Sequence, residues 1–223
     1  MQFNYEEKYQ SREVNGERRK NFKVSFFNSL KGDGDEAIVR FPYTSPNQFE
    51  TVTIHKLALG DNKFRSVSCI RDKWHDDESK CPLCAKAKEL GKDDPRYNNF
   101  RLQEKFYCKM LVYTKDANGV VTSKAVIWER PRAFADTLNK YFTEYGDISE
   151  YIFKIVRHGS AKDPSSVKYD VMYVNQAVYP SSVYTKDFSA FEGYTPQGSA
   201  YLMKTFDELK KEEILFQEPE TPK

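Results

Sequence analysis

Short segments in which apolar and polar residues alternate run along most of the chain, separated by clusters of Gly, Pro, Asn and Asp. Alternation with a period of two is typical of a strand with one buried face, and such clusters are typical of turns. An Asn118-Gly119 pair marks a hairpin. The pattern predicts a mainly β protein whose strands cover residues 21–27, 36–41, 50–58, 63–69, 105–114, 124–130, 152–157 and 167–174.

Three segments carry helix signals instead. A helix is predicted from Pro131, because proline suits a first helical turn, until Gly146, because glycine ends helices. A shorter helix is predicted over residues 83–90, where apolar residues recur on one face. Near the end of the chain, Thr205 and Glu208 have the spacing of a capping box that opens a last helix.

Cysteine and histidine residues form the clearest chemical signal. Cys81 and Cys84 bracket a Cys-Pro-Leu-Cys knuckle, and Cys69 precedes them. Thiolate and imidazole are the ligands that tetrahedral Zn²⁺ prefers, and a Cys-x-x-Cys turn places two sulfurs on one ion. The spacing leaves two candidates for a histidine ligand, His55 on a predicted strand and His75 between Cys69 and Cys81. Four protein ligands leave no open coordination position, so we expect one structural Zn²⁺ per chain.

Other chemistries fit the same residues less well. The chain has no His-x-Glu, which zinc deaminases combine with Pro-Cys-x-x-Cys. A redox pair of this type normally opens a helix after a strand in a thioredoxin-like βαβ unit, which the surroundings of this knuckle do not resemble. We therefore expect a protein that is not an enzyme.

Composition and charge restrict the class of protein. With 223 residues, 39% of them hydrophobic, the chain can bury one core with a small attached module. No apolar run approaches the roughly 20 residues that cross a bilayer, and the N-terminus lacks the order of a secretion signal. We expect a soluble intracellular protein without a membrane partner. The net charge of +2 does not by itself indicate a nucleic-acid binder.

The predicted strand at 105–114 has two different faces, because side chains alternate between the sides of a sheet. Lys105, Tyr107 and Lys109 share a cationic and aromatic face. Phe106 and Cys108 take the apolar face, which makes Cys108 a core thiol rather than a fourth metal ligand.

Trp128 and Arg130 repeat this combination on the partner strand of the hairpin. Such surfaces suit single-stranded nucleic acid, because bases stack on flat rings while cations neutralise phosphates. The same pattern is also typical of cross-strand packing and of a solvated sheet edge. The pattern alone therefore leaves both interpretations open.

Several segments together resemble one family, the T-even-type phage single-stranded DNA-binding protein, a zinc-containing helix-destabilising protein. The resemblance implies an OB-fold, a partly open barrel, with an inserted zinc-binding subdomain at about residues 55–100 of a core at 21–205. We expect residues 1–20 to form an N-terminal arm, and residues 206–223 a C-terminal helix with a short tail. The segments that carry it, in the family's order, are Ala37–Pro42, Ile54–Lys56, Ser68–Cys69, Cys81–Cys84, Phe106–Val112 and Val174–Pro180.

The resemblance also assigns roles to residues. The family's zinc is held by a histidine on a strand before the first cysteine, by that cysteine and by a Cys-x-x-Cys pair. Carried over, this selects His55, Cys69, Cys81 and Cys84 and leaves His75 outside. The family binds DNA in a basic cleft between the OB-fold and the zinc subdomain, and the positions matching its cleft residues are Arg40, Tyr97, Arg101, Phe106, Tyr107, Trp128 and Tyr169. The strand pattern adds Lys105, Lys109 and Arg130.

The expected function is to coat single-stranded DNA with little sequence preference during phage replication, recombination and repair, in the cytoplasm of the bacterial host. Expected partners are single-stranded DNA, replication proteins of the same phage and further copies of the chain along the DNA. The family's basic arm and long acidic tail have only weak counterparts here, Glu17–Lys20 and the Glu-bearing residues 212–223. Two alternative functions are a zinc-stapled protein–protein adapter and an RNA-binding module.

Overall fold

The computed structural model describes residues 24–58, 64–71, 77–160, 162–196 and 204–215. Strands outnumber α-helices in this part of the chain, so the structure is mainly β, as predicted. The strands are β1 (Ser25–Phe26), β2 (Glu36–Arg40), β3 (Thr51–Ala58), β4 (Phe64–Ser68), β5 (Leu102–Lys115), β6 (Val121–Pro131), β7 (Phe153–His158) and β8 (Lys168–Tyr173). The α-helices are α1 (Pro82–Leu90), α2 (Tyr97–Phe100), α3 (Ala133–Tyr145) and α4 (Phe206–Leu215).

The described residues divide into two compact units. The first unit contains residues 24–50 and 106–194, and the second contains those within 51–105 and 195–215. The insertion predicted at about 55–100 lies inside the contiguous segment Thr51–Lys105 of the second unit. Helix α4 also belongs to the second unit, although the sequence suggested a separate terminal segment. The expected N-terminal arm at 1–20 lies outside the described residues.

The first unit is built on a mixed sheet with the strand order β1-β6-β5-β2-β7-β8. β1 runs parallel to β6, while the pairs β2 with β5, β2 with β7 and β7 with β8 are antiparallel. The predicted hairpin joins β5 to β6, where Gly119 has φ +83° and the Asp116 N–H donates to the Val120 carbonyl at 3.0 Å. A mixed open sheet of this kind is compatible with a partly open β-barrel.

The apolar faces of this sheet and of helix α3 enclose the core of the first unit. Phe134 and Leu138 lie one helical turn apart on α3, so both reach the same core. Cys108 lies in this core and is fully buried, as predicted for a structural thiol. Burial also raises the pKa of the Cys108 thiol. The other core residues include Phe27, Val39, Phe41, Tyr43, Phe106, Met110, Trp128, Ile148, Phe153, Ile155 and Val171.

The second unit has its own smaller core. β3 and β4 form an antiparallel pair in which Ile54 lies opposite Ser68. Helices α1 and α2 and one residue of α4, the fully buried Leu209, complete the cluster. Its buried members are Leu57, Val67, Cys69, Cys81, Leu83, Cys84, Ala87, Phe100 and Leu209.

Strand and helix positions agree with the sequence pattern to within a few residues, but the short helix α2 was not predicted and two further positions differ. The first strand has only two described residues, and 21–23 of its predicted range lie outside the described chain. The prediction that Pro131 opens a helix is wrong: β6 ends at Pro131 and α3 begins at Ala133. An edge position after the last ladder bond tolerates a proline as well as a first helical turn does.

The capping signals are confirmed at both later helices. Gly146 follows α3 with φ +72°. Thr205 Oγ1 accepts from the Glu208 N–H at 3.3 Å, while Glu208 Oε2 accepts from the Thr205 N–H at 2.8 Å. Among the described helices, none has the length and apolar character needed to cross a membrane.

Candidate metal centre and nucleic-acid surface

Four side chains of the second unit converge on one buried point. His55 lies on β3, and Cys69 directly follows β4, where its N–H donates to the Thr53 carbonyl at 2.9 Å. Cys81 caps helix α1 and Cys84 lies in its first turn, since proline at the first helical position starts the helix between them. The strand pair and the helix start therefore supply two ligands each, and all four residues are buried.

The distances among the ligand atoms suit one tetrahedral ion. The four ligand atoms lie within 4.8 Å of one another. The Sγ atoms of Cys69 and Cys84 are 3.7 Å apart, and His55 Nε2 is 3.4 Å from Cys81 Sγ and 3.6 Å from Cys84 Sγ. A regular tetrahedron with zinc bond lengths of about 2.3 Å to sulfur and about 2.0 Å to nitrogen separates sulfurs by about 3.8 Å and sulfur from nitrogen by about 3.5 Å. The cluster predicted from the sequence is confirmed as a site that can hold a single metal ion.

Two groups outside the cluster orient its members. His55 Nδ1 lies 2.6 Å from the Phe100 carbonyl oxygen, which only accepts, so Nδ1 carries the proton and Nε2 faces the sulfurs. Such outer partners fix the tautomer and ring orientation of metal-binding histidines. Arg71 Nη1 donates to Cys84 Sγ at 3.4 Å. Three thiolates around a divalent ion leave one net negative charge, which the adjacent guanidinium balances.

Contacts within the cluster also set its acid–base properties. Hydrogen bonds from Cys69 and Cys84 hold the pKa of the Cys81 thiol far below its ordinary value. Hydrogen bonds to Cys81 and Cys84, together with burial, raise the pKa of the Cys69 thiol. Burial lowers the pKa of His55, but hydrogen bonds to Cys81 and Cys84 outweigh it and raise the pKa to about 9. Cys81 therefore ionises before Cys69.

The alternative histidine ligand is not tested. His75 lies outside the described residues. Arg71 and the Phe100 carbonyl were not predicted as parts of the site. Arg71 lies two residues after Cys69, a position from which a cation can balance thiolates, but a carbonyl partner leaves no sequence signal.

The first unit buries several residues that the resemblance assigns to DNA contact. Arg40 is 1% exposed. Its guanidinium donates to Tyr113 Oη at 3.3 Å, to the Ser149 carbonyl at 3.0 Å and to the Tyr184 carbonyl at 3.2 Å. In this structure Arg40 ties together parts of the first unit, and a contact with DNA stays a prediction.

Burial does not alternate along the middle of β5. Phe106 and Tyr107 are both fully buried, whereas alternation placed Tyr107 on an outward face. Trp128, on β6, is 5% exposed and lies in the core of the first unit. Both sides of the sheet are covered at this level, so the three rings offer little free face for a base.

Cations accompany aromatic rings nearer the surface. The Arg130 guanidinium lies 4.3 Å from the ring centre of Tyr169 and 4.8 Å from that of Trp128. Burial lowers the pKa of Arg130, and the interaction with Tyr169 opposes this shift. Lys109 Nζ instead contacts Glu50 Oε1 at 2.6 Å.

A groove in the second unit brings together two further predicted DNA-binding residues, Tyr97 and Arg101. Tyr97 is half-buried at the start of α2, and Arg101 is exposed directly after it. Both line a groove of about 340 Å³ that also reaches Cys84 of the metal-ligand cluster. Lys105, half-buried on β5, does not line this groove.

The chemistry of the site is thus supplied by a metal-ready cluster with an adjoining groove, together with cation–ring contacts in the first unit. The chain matches no protein-family model and no curated protein.

Proposed function

We propose that this chain is a single-stranded DNA-binding protein with an OB-fold and a structural Zn²⁺, and that it is not an enzyme. The observation that carries the proposal is the presence of Tyr97 and Arg101, which match cleft positions of the T-even family, in one open groove beside the metal-ligand cluster. A ring and a cation at one surface are the two elements that bind an unpaired nucleotide.

The donor set supports zinc as the ion. Three thiolates and one imidazole are soft to borderline ligands, and their tetrahedral spacing is that of structural zinc sites. Four protein ligands exclude a metal-bound water, so the ion would hold β3, β4 and α1 together without catalysing a reaction.

The binding mode follows from what every nucleotide shares. Bases of any sequence present a flat face to a ring such as Tyr97, and every linkage presents a phosphate to a cation such as Arg101. The contacts of Arg130 with Tyr169 and Trp128 add a cation–ring pair in the first unit. Little sequence preference and strong salt dependence are therefore expected.

The biological setting rests on the resemblance. Coating of single-stranded DNA in phage replication, recombination and repair, inside the bacterial host cytoplasm, is the setting of the family that the segments resemble. The mixed sheet of the first unit is compatible with the barrel that this family uses.

Fluorescence anisotropy of labelled oligo-dT tests the proposal. The full zinc-loaded chain should bind, and affinity should fall steeply between 50 and 200 mM salt, about threefold for each phosphate contact. Tyr97→Ala should weaken binding about 5- to 150-fold, equivalent to about 1–3 kcal/mol per stacked base, while Tyr97→Phe keeps the ring and most of the affinity.

Three results would redirect the proposal. Absence of binding at high micromolar protein would contradict DNA binding and favour the protein–protein adapter. RNA that competes as well as DNA would favour the RNA-binding module. Equal affinity of the wild type and Tyr97→Ala would remove the groove from the DNA site.

A further inference from the structure

The groove beside the metal-ligand cluster is lined by cationic residues that the resemblance does not assign to DNA binding. Lys88, Lys92 and Arg71 line it together with Arg101, and among the described lining residues the one acid is Glu78. Lys88, Lys92 and Arg71 are not among the residues predicted to bind DNA. Their convergence on one concave surface is a structural finding.

The local fold explains how the lysines reach the groove. Cys84 and Lys88 are four residues apart on α1, so they lie on the same helix face. Gly91 has φ +72° and its N–H donates to the Ala87 carbonyl at 3.1 Å, which ends the helix and leads the chain to Lys92. Lys92 is exposed, and Lys88 contacts Glu78 at 3.2 Å with 73% of its side chain exposed.

Arg71 connects the groove to the metal-ligand cluster. Its residue is 8% exposed, and Nη1 donates to Cys84 Sγ. Cys84 itself lines the groove. The ligand cluster therefore positions a buried guanidinium at this surface, where it offsets the negative charge of the thiolates.

We propose that this groove is a phosphate-binding subsite that takes one nucleotide of single-stranded DNA. Lys88, Lys92 and Arg101 neutralise the backbone phosphate, Arg71 cancels the negative charge that the thiolates would present to that phosphate, and the Tyr97 ring takes the base. The volume of about 340 Å³ is at the lower end of the range for small-ligand sites, about 300–1,000 Å³, and so suits one nucleotide rather than a long segment. This subsite rests on the proposed DNA-binding function and deepens it.

Glu78 provides a test that distinguishes a phosphate-binding subsite from a merely structural surface. Its carboxylate is the only acid lining the groove in the described chain, and it competes with phosphate for Lys88. Glu78→Gln should therefore tighten DNA binding severalfold, whereas a lysine-to-alanine change should weaken it.

Salt titrations of labelled dT12 with zinc-loaded variants of the full chain test the subsite. Removing two phosphate contacts in Lys88→Ala/Lys92→Ala should reduce the slope of log K against log[salt] by about 1.4 and weaken binding about 25-fold at 0.1 M salt. Lys140→Ala removes an exposed helical lysine of the first unit, outside the groove, and should change affinity less than twofold. Zinc content and melting temperature, measured on the same samples, verify that each variant is folded.

The outcomes separate the subsite from the function. If the wild type binds dT12 but the double variant has the same slope and affinity, the subsite is wrong and the DNA-binding function stands. If the wild type does not bind, both are wrong. If the groove binds an internal phosphate of the backbone, dT12 should bind equally well with and without a 5′-phosphate. Tighter binding of the 5′-phosphorylated strand would contradict this and assign the groove to a terminal phosphate.

Discussion

At the scale of single residues, hydrogen bonds to fixed backbone groups decide which atoms face the metal-ligand cluster. The Phe100 carbonyl leaves His55 Nε2 directed at the sulfurs, and Arg71 donates to Cys84 Sγ. These contacts preorganise the site, and less side-chain freedom is therefore lost when an ion binds. The cluster can thus bind tightly although its ligands come from separate elements.

The acid–base state of the cluster predicts how zinc affinity depends on pH. His55 has a pKa of about 9 and the pKa of Cys69 is raised, so both hold a proton at pH 7 and must release it to bind the ion. The bound form has at least two protons fewer, so apparent zinc affinity rises with pH and is lost as pH falls. Competition with a chromophoric chelator should give an affinity about a hundredfold higher at pH 7.5 than at pH 6.5. A pH-independent affinity would contradict this assignment.

Arg40 distinguishes a structural from a DNA-binding role. Its three hydrogen bonds reach Tyr113, Ser149 and Tyr184. Arg40→Ala leaves two carbonyl groups without this donor and should lower the free energy of unfolding by about 3 kcal/mol in urea denaturation. Lys140→Ala, the exposed control, should change it by less than about 0.5 kcal/mol. An Arg40→Ala protein of unchanged stability with lost DNA affinity would instead support the DNA contact.

Some of these single-residue contacts could be predicted from the sequence and others could not. The ligand types and their spacing predicted a cluster of Cys69, Cys81 and Cys84 with one of two histidines, and the family resemblance selected His55. The partners of Arg40 could not be predicted, because Ser149 and Tyr184 are more than a hundred residues away along the chain. Lys88 could have been noticed from its spacing of four residues after Cys84.

At the scale of elements, turn and cap signals predicted boundaries well because they act locally. The capping box of Thr205 and Glu208 and the glycine after α3 depend on neighbouring residues alone. The burial of Tyr107 depends on what covers each side of β5, which a period of two does not reveal. The two-residue β1, paired in parallel with β6, is likewise a result of tertiary contact.

The turn between β7 and β8 gives a prediction at this scale. Gly159 has φ +95°, and a Cβ there would lie 2.4 Å from the Ser166 carbonyl oxygen. Gly159→Ala should lower the free energy of unfolding by about 3 kcal/mol, because strain and a backbone clash add. Gly34→Ala is the matched control: Gly34 has φ +78° but nothing within 4 Å of the added Cβ, so about 1 kcal/mol is expected. Equal losses in urea denaturation would show that the turn relaxes.

At the scale of the whole molecule, the two units have separate cores, and the metal-ligand cluster belongs to one of them. All three cysteines of the metal-ligand cluster belong to the hydrophobic core of the second unit, and none is in the core of the first unit. Folding energy supplied by an ion should therefore act mainly on the second unit.

Hydrogen exchange followed by mass spectrometry tests this division. A chelator should accelerate amide exchange more than tenfold in β3, β4 and α1, because the ion links these elements. Exchange in β7 and α3 should change little, because their core residues Phe153, Ile155 and Leu138 do not contact the ligands. Equal acceleration in both units would contradict an independent core in the first unit.

Elemental analysis of the freshly purified full chain tests the central claim most directly, namely that four side chains hold one zinc ion. We expect about one zinc per chain, retained in Cys108→Ala, whose thiol lies in the other core, and lost in Cys84→Ser. No transition metal in the wild type, or zinc held equally by Cys84→Ser, would contradict the account.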